Sequence, residues 1–500
     1  MSVLDAQPDA ALPIDPPASQ LQEALAQQRV AFLAEGPPPL EVRLDRIDRL
    51  VAGVLGAADE LVEALDADFG TRPRLASLTS DVVSILPAVD LIRDQLAGWM
   101  RDEEVPGSAD LGTPTFVQKR PKGVVGVIGP WNFPVSLVLA PAVEALAAGN
   151  RVMIKISEVP SRTADVVAEA VARYLPPEVV TVVRGGPGTA AEFSALPFDH
   201  LIFTGSPGVG ALVAEATGRN LVPVTLELGG KNPVVLGSDA DVETAAARVA
   251  AARLFNGGQL CLAPDQVFIP RARLAEFVAG FEAAVRGIFP TVAEHPGFTS
   301  IVDEKNFDRV TGLIADAEAR GAEVHRIAPE DELDRLPERA TRRIAPTVLL
   351  GVTPDMAVAT EEIFGPVIAV FGYDDLDAVI ATLNGQPSPL AAYWFGEDTA
   401  EFRHFLERTT SGGVTRNDLL LHWGVTGAPS GGVGRSGMGA YSGEIGFRTF
   451  SHLRTVAANT GTEGLAARLL PPAGAPEADA VAGYVAHAVA EIRARIAAAS

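Results

Sequence analysis

A single cysteine in 500 residues, Cys261, stands in the run Asn256-Gly257-Gly258-Gln259-Leu260-Cys261-Leu262-Ala263-Pro264-Asp265. One thiol forms neither an intrachain disulfide nor a cysteine-rich metal site. A lone cysteine is most often a small buried hydrophobe. The glycines and glutamine before it and Ala-Pro-Asp after it instead describe a bent, backbone-exposing segment, the setting of a nucleophile.

Other runs carry residue types that would serve such a thiol. Glu227, in Leu226-Glu227-Leu228-Gly229-Gly230-Lys231-Asn232-Pro233, reads either as a buried carboxylate paired with a cation such as Lys231 or as a general base. In the second case desolvation raises its pKa until it can take a proton from water near neutrality. Asn132, in Gly129-Pro130-Trp131-Asn132-Phe133-Pro134, is a turn residue or a side-chain donor to an oxyanion. The run Glu361-Glu362-Ile363-Phe364-Gly365-Pro366 pairs acids with an aromatic, a set suited to a sugar and a ring.

Phe203-Thr204-Gly205-Ser206-Pro207-Gly208-Val209-Gly210 leads a strand through glycines into a helix, where N–H donors suit a phosphate. Its spacing is not G-x-G-x-x-G, so alone it also reads as an ordinary turn. Lys155 and Glu158 end another strand, as a solvated pair or with Glu158 accepting from ribose hydroxyls.

The elements that must position these residues follow from the apolar rhythm. Apolar positions such as Leu50, Val54, Leu61 and Leu65 recur at helical spacing between Gln20 and about Met100. Strands are expected at Val124–Ile128, Val152–Ile156, Val179–Val183 and His200–Thr204. Helices are expected at Val135–Ala148 and Arg162–Tyr174, and from Thr189 and Gly208. This alternation predicts an α/β fold with a doubly wound parallel sheet. A second α/β series runs from Val234 to about Asn417, with helices at Ala245–Leu254, Leu274–Phe289 and Phe307–Arg320. Residues 1–18 read as a disordered arm, 461–475 as a linker, and Ala478–Ala498 as an amphipathic helix.

A net charge of −23 and a pI near 4.7 argue against a nucleic-acid binder. A mean hydropathy of +0.20 with 47% hydrophobic residues fits a globular chain with a large core. The most apolar stretch, Val124 to Gly149, is broken by prolines, Asn132 and Glu144, which argues against a membrane span. The first basic residue is Arg29, so no charged n-region of a secretory signal is read, and a cytoplasmic location is expected. Seven histidines without paired spacing predict no metal.

Taken together, these motifs resemble the NAD(P)-dependent aldehyde dehydrogenase superfamily, from about Gln20 to Val456. P-W-N-F-P, E-L-G-G-K-x-P, G-Q-x-C and E-E-I-F-G-P occur here in family order. Ala263-Pro264-Asp265 and the glycine-rich tail Gly431-Gly432-Val433-Gly434-Arg435-Ser436-Gly437 look like the class 3, coniferyl aldehyde dehydrogenase-like branch. The resemblance implies that Cys261 attacks an aldehyde to give a thiohemiacetal and then a thioester. Asn132 and the Cys261 N–H would hold the oxyanion, and Glu227 would activate water. Lys155 and Glu158 would hold the adenosine ribose, Glu362 the nicotinamide ribose, and Gly205 and Ser206 the pyrophosphate. Trp131 and Phe364 would join the cofactor site.

The implied architecture is an NAD-binding domain (19–106 and 122–227), a catalytic domain (228–417), a small oligomerisation element (107–121 and 418–456) that makes a homodimer, and a tail (457–500). NAD is expected over NADP, with NADP tolerated in this branch, because a carboxylate at position 158 repels a 2′-phosphate. A CoA-acylating enzyme and a catalytically silent binding protein are the alternatives. Departures from the branch pattern are Ile156, Gln266, Ser430 and Ser442, the third replacing a large aromatic near the substrate entrance. They lead to an expected substrate preference different from coniferyl-type aldehydes.

Overall fold

The computed structural model describes residues 15–462, 464 and 475–499. The arm expected over 1–18 therefore lies outside the described residues up to position 14, as does most of the linker expected over 461–475. The chain divides into a larger unit, residues 1–100 and 120–452, and a smaller one, residues 101–119 and 453–500.

Two sheets organise the larger unit. The first has the order Gly437–Met438, Val224–Glu227, His200–Thr204, Val124–Ile128, Arg151–Lys155, Val180–Val183. All its pairs are parallel except the two-residue strand Gly437–Met438, which runs antiparallel to Val224–Glu227. Val124–Ile128, Arg151–Lys155 and His200–Thr204 are buried along their whole length, as parallel strands covered on both faces must be. From Val124–Ile128 the chain winds outward through two strands, then crosses back to lay His200–Thr204 on the other side. That reversal opens a crevice at the carboxyl ends of Val124–Ile128 and His200–Thr204.

The second sheet has the order Glu323–Arg326, Thr347–Leu350, Val367–Tyr373, Gln266–Pro270, Pro233–Leu236, Ala391–Phe395, Gly413–Arg416. Only Glu323–Arg326 is antiparallel to its neighbour. The largest core packs the first sheet against the helices Leu40–Gly56, Leu86–Trp99, Ser136–Ala147 and Ser161–Tyr174. A second core packs the other sheet against Val242–Leu254 and Leu274–Ile288. The expected strands and helices of both series are present, with ends shifted by a few residues.

Helix starts follow local chemistry. Ser206 caps Pro207–Gly218 by accepting from the Val209 N–H at 3.4 Å, with Pro207 supplying a φ suited to the first turn. Asp241 and Asp303 cap Val242–Leu254 and Glu304–Ala319 in the same way. The helical run Arg74–Trp99 is long and apolar enough to cross a membrane by composition. It holds the fully buried Asp81, ion-paired to Arg72, and gives Val82, Ile92 and Leu96 to the main core. It is a core element.

Residues 418–452 fold with the larger unit, because Gly437 and Met438 pair with Glu227 and Leu226 and the Ser436 carbonyl accepts from the Leu228 N–H at 3.0 Å. The smaller unit is a three-stranded sheet, Glu103–Glu104, Thr115–Pro121 and Ser451–Ala457, with the helix Ala475–Ala499. Val481, Tyr484, Val485, Ile492 and Ile496 are exposed on that helix.

Candidate active site

A cleft of about 1230 Å³ opens between the carboxyl edge of the first sheet and the amino edge of the second. This exceeds the roughly 300–1,000 Å³ usual for a small-molecule pocket and suits an elongated ligand. It is lined by all ten residues singled out from the sequence: Trp131, Asn132, Lys155, Glu158, Gly205, Ser206, Glu227, Cys261, Glu362 and Phe364.

Cys261 sits half-buried on the turn before the strand Gln266–Pro270. The turn is reached through three successive left-handed residues, Asn256, Gly257 and Gly258, at φ of 51°, 63° and 78°. A Cβ on Gly258 would lie 2.2 Å from the Gly365 carbonyl oxygen, so only glycine fits there. Polar side chains then clamp the turn. Gln259 donates to the Asn256 and Ser300 carbonyls at 2.9 and 3.0 Å and accepts from the Val302 N–H at 2.9 Å. Asn232 donates to the Cys261 and Ala263 carbonyls at 2.7 and 3.0 Å, and Tyr393 donates to Leu262 O at 2.6 Å.

Beneath the turn, Asp265 is ion-paired to Lys231 and to Arg253, which also donates to Pro264 O at 2.9 Å. Burial pushes the Cys261 thiol up to about 12, and the Glu362 and Glu227 carboxylates add to the rise. The Cys261 and Leu262 N–H groups donate to the sulfur and oppose it.

Glu227 ends the strand Val224–Glu227 and is 2% exposed. Neither carboxylate oxygen has a hydrogen-bond partner. Lys231, the cation named from the sequence as a partner, binds Asp265 and the Val358 and Glu361 carbonyls instead. Burial alone holds the Glu227 carboxyl well above the usual carboxylate range. Asn132 follows the end of Val124–Ile128; its Nδ2 donates to Gln259 O at 3.2 Å, joining this loop to the cysteine turn. The Asn132 loop is fixed from below by Asp81, which accepts from the Val135 and Ser136 N–H groups at 3.0 and 3.2 Å.

The remaining residues run along the cleft. Lys155 Nζ donates to Ile156 O at 2.6 Å and lies 3.9 Å from Glu158. Burial lowers the Lys155 pKa, with Glu158 and Asp15 opposing. Gly205, Ser206, Gly208 and Val209 bring the N-terminus of Pro207–Gly218 to the cleft wall, with backbone donors suited to a pyrophosphate. Glu362 lies over Gly229, where a Cβ would meet its Oε2 at 2.3 Å. Burial, with Asp265 adding, pushes the Glu362 carboxyl up to about 8 against the Gly230 N–H. Arg309 holds this segment by donating to the Glu362 and Ile363 carbonyls at 3.1 and 2.8 Å. Phe364, at φ 50°, meets Trp131 edge-on at 5.2 Å. A hydroxyl-binding acid at each end, donors between them and an aromatic wall fit an extended dinucleotide.

The sequence reading gave no role to Asn232, Arg253, Asn256, Asp265 or Arg309. Asn256 and Asp265 flank the thiol, but the partners that tie them to other elements, the Asn132 carbonyl for Asn256 and Lys231 and the Ile363 N–H for Asp265, lie far along the chain and no spacing announces them. The departures have plain structural places. Ser430 is 7% exposed, exchanges two backbone hydrogen bonds with Tyr441 and is not among the residues lining the cleft. The Ser442 and Gly443 N–H groups donate to the buried Glu144 at 3.0 Å each. Gln266 donates to Lys231 O and to Gln386, and Ile156 is core.

Comparison with known proteins agrees with this geometry. The aldehyde dehydrogenase family signature matches residues 16–456. A probable coniferyl aldehyde dehydrogenase of Caulobacter vibrioides is 45% identical over 440 residues, 87% of this chain and 90% of that protein. The fold matches the substrate-bound AldH of Staphylococcus aureus with a TM-score of 0.85 at 29% identity, covering 92% of this chain and 99% of that one. It also matches aldehyde dehydrogenase C of Pseudomonas syringae, solved with NAD+ and octanal, with a TM-score of 0.78 at 31% identity over 90% and 91% of the two chains. The chain belongs to the aldehyde dehydrogenase family, in its class 3 and coniferyl branch, and is an NAD(P)-dependent enzyme that oxidises aldehydes.

Proposed function

We propose that Cys261 is the nucleophile, Asn132 with the Cys261 backbone N–H the oxyanion donors, and Glu227 the base that activates water. The observation carrying this reading is Glu227 itself, a buried carboxylate with no partner on the wall it shares with Cys261 and Asn132. A buried charge left unpaired costs stability, so its retention calls for a chemical use.

The thiol, held protonated by burial, releases its proton to solvent as the sulfur lone pair bonds to the carbonyl carbon. The carbonyl π electrons move to oxygen, which accepts from Asn132 Nδ2 and the Cys261 N–H. Bound NAD(P) supplies the two-electron acceptor that leaves the acyl group as a thioester on Cys261. Glu227 then takes a proton from water, and the water oxygen attacks the acyl carbon. The C–S bond breaks with its electron pair going to sulfur, and the proton on Glu227 passes to that sulfur. This releases the carboxylic acid and restores both the thiol and the Glu227 carboxylate. Lys155 and Glu158 hold the adenosine ribose, Glu362 the nicotinamide ribose, Gly205 and Ser206 the pyrophosphate, and Trp131 and Phe364 flank the nicotinamide end. NAD is preferred over NADP.

Rapid mixing with aldehyde and NAD tests the assignment. A burst of NADH is expected in the native enzyme, and Cys261→Ser should lose it with at least about a 10³-fold drop in turnover. A burst that survives in Cys261→Ser excludes this thiol as the acyl carrier.

The similarity to a probable coniferyl aldehyde dehydrogenase makes coniferaldehyde the reference substrate. The departures from the branch pattern, rather than a cleft contact of Ser430, which lies outside the cleft lining, are the basis for proposing a different best substrate. In a panel ranked by kcat/KM, coniferaldehyde should not come first; if it does, that preference is wrong. For assembly and location the proposal is a cytoplasmic homodimer joined through the element of residues 107–121 and 418–456.

A further inference from the structure

One acid at the start of a cleft-lining helix comes from neither sheet nor from the helices that line the cleft. Asp15 Oδ1 accepts from the Gly186 N–H at 2.6 Å and from the Thr189 hydroxyl at 2.7 Å. Gly185 and Gly188 leave room for it, since a Cβ on either would lie 3.0 Å from an Asp15 carboxylate oxygen. Gly186 precedes the helix Pro187–Ser194, whose Pro187, Ala190 and Ala191 line the cleft.

The strand before this turn, Val180–Val183, runs parallel to Arg151–Lys155 with Val183 opposite Lys155. The turn therefore leaves the sheet beside Ile156-Ser157-Glu158, and the Asp15 and Lys155 charges act on each other. Asp15 is exposed, yet the helix after it, Ala18–Glu35, is anchored. Leu21 and Leu25 are core residues, and Gln28 donates to Val152 O and Pro177 O at 3.1 and 2.8 Å.

We propose that Asp15 is a cofactor-selectivity residue, a second carboxylate beside Glu158 that disfavours a 2′-phosphate at the adenosine end of the cleft. The inference rests on the reading above that the adenosine ribose lies at Lys155 and Glu158. Lys155 is a buried cation that would draw a 2′-phosphate to this edge. Glu158, 3.9 Å from it, and Asp15 oppose that attraction. Asp15 also occupies the Gly186 N–H and Thr189 hydroxyl, donors at a helix start that an anion would otherwise use.

The two effects separate by substitution. Asp15→Asn keeps an oxygen acceptor for the turn and removes the charge; Asp15→Ala frees the donors as well. The ratio of kcat/KM for NADP to that for NAD should rise about three- to tenfold in Asp15→Asn at low ionic strength. The gain should shrink as salt is added. Asp15→Ala should raise the ratio at least as far and tighten inhibition by 2′-AMP relative to 5′-AMP. Glu158→Gln in the same assay reports on the underlying reading. If Glu158→Gln raises the ratio and neither Asp15 variant does, Asp15 has no part in selectivity. If all three leave the ratio and the 2′-AMP inhibition unchanged, the adenosine placement falls and the Asp15 assignment falls with it.

Discussion

Two buried acids of the larger unit are treated in opposite ways. Asp265, 1% exposed, is ion-paired to Lys231 and Arg253, and also accepts from the Ile363 N–H at 3.1 Å. Glu227, 2% exposed, has no partner on either oxygen. Lys231 follows Glu227 by four residues yet turns to Asp265, thirty-four residues away. The first acid holds up the cysteine turn. The second is kept free of cations that would pin it in the ionised form and lower its basicity. A buried charge that stabilises is paired, and one that must exchange a proton is left alone at some cost to the fold.

Substitutions at the two acids should diverge accordingly. Glu227→Gln should lower kcat for aldehyde oxidation about 10²–10⁴-fold, as for loss of a general base, while the melting temperature holds. A large loss of stability in this variant would mean that Glu227 is structural after all. Asp265→Asn should cost about 3–5 kcal/mol of stability, measured by denaturant unfolding, because it leaves Lys231 and Arg253 buried without a full counter-charge. A variant as stable as the native protein would remove the distinction from the other side.

The smallest effect concerns the Cys261 thiol. With its pKa pushed up to about 12, Cys261 is protonated at neutral pH, and alkylation needs the thiolate. In the absence of cofactor the iodoacetamide rate should climb about tenfold per pH unit from neutrality with no plateau below about pH 9. Glu362, pushed up to about 8, is charged above that pH and holds the thiol proton more tightly. Glu362→Gln should therefore speed alkylation a few-fold on the alkaline side only. A plateau near neutrality in the native protein would show a thiolate already formed without cofactor.

Much of the fold was legible because burial on both faces writes itself as continuous apolar runs. Val124–Ile128 and His200–Thr204 have the ends read from the sequence. The strand Gly437–Met438 was not legible, since two residues carry no periodicity and their pairing with Glu227 and Leu226 spans some two hundred positions. The clamp of Asn232, Gln259 and Tyr393 on the cysteine turn was equally hidden, because each partner is a backbone group, which nearly any residue type offers.

By itself the sequence determined the residue types of the chemistry and their order: one thiol on a glycine-bent turn, an amide between prolines, an acid before two glycines and a basic-acidic pair ending a strand. Those are local properties, set by side-chain chemistry and backbone freedom. Only the tertiary structure decided that the carboxyl edge of one sheet faces the amino edge of the other, bringing Asn132, Glu227 and Cys261 to one cleft. It also decided that Lys231 pairs away from Glu227, and that Asp15 reaches the turn at Gly186. Which charges meet, and which are left without a partner in a poorly solvated cleft, depends on distances that only the folded chain sets.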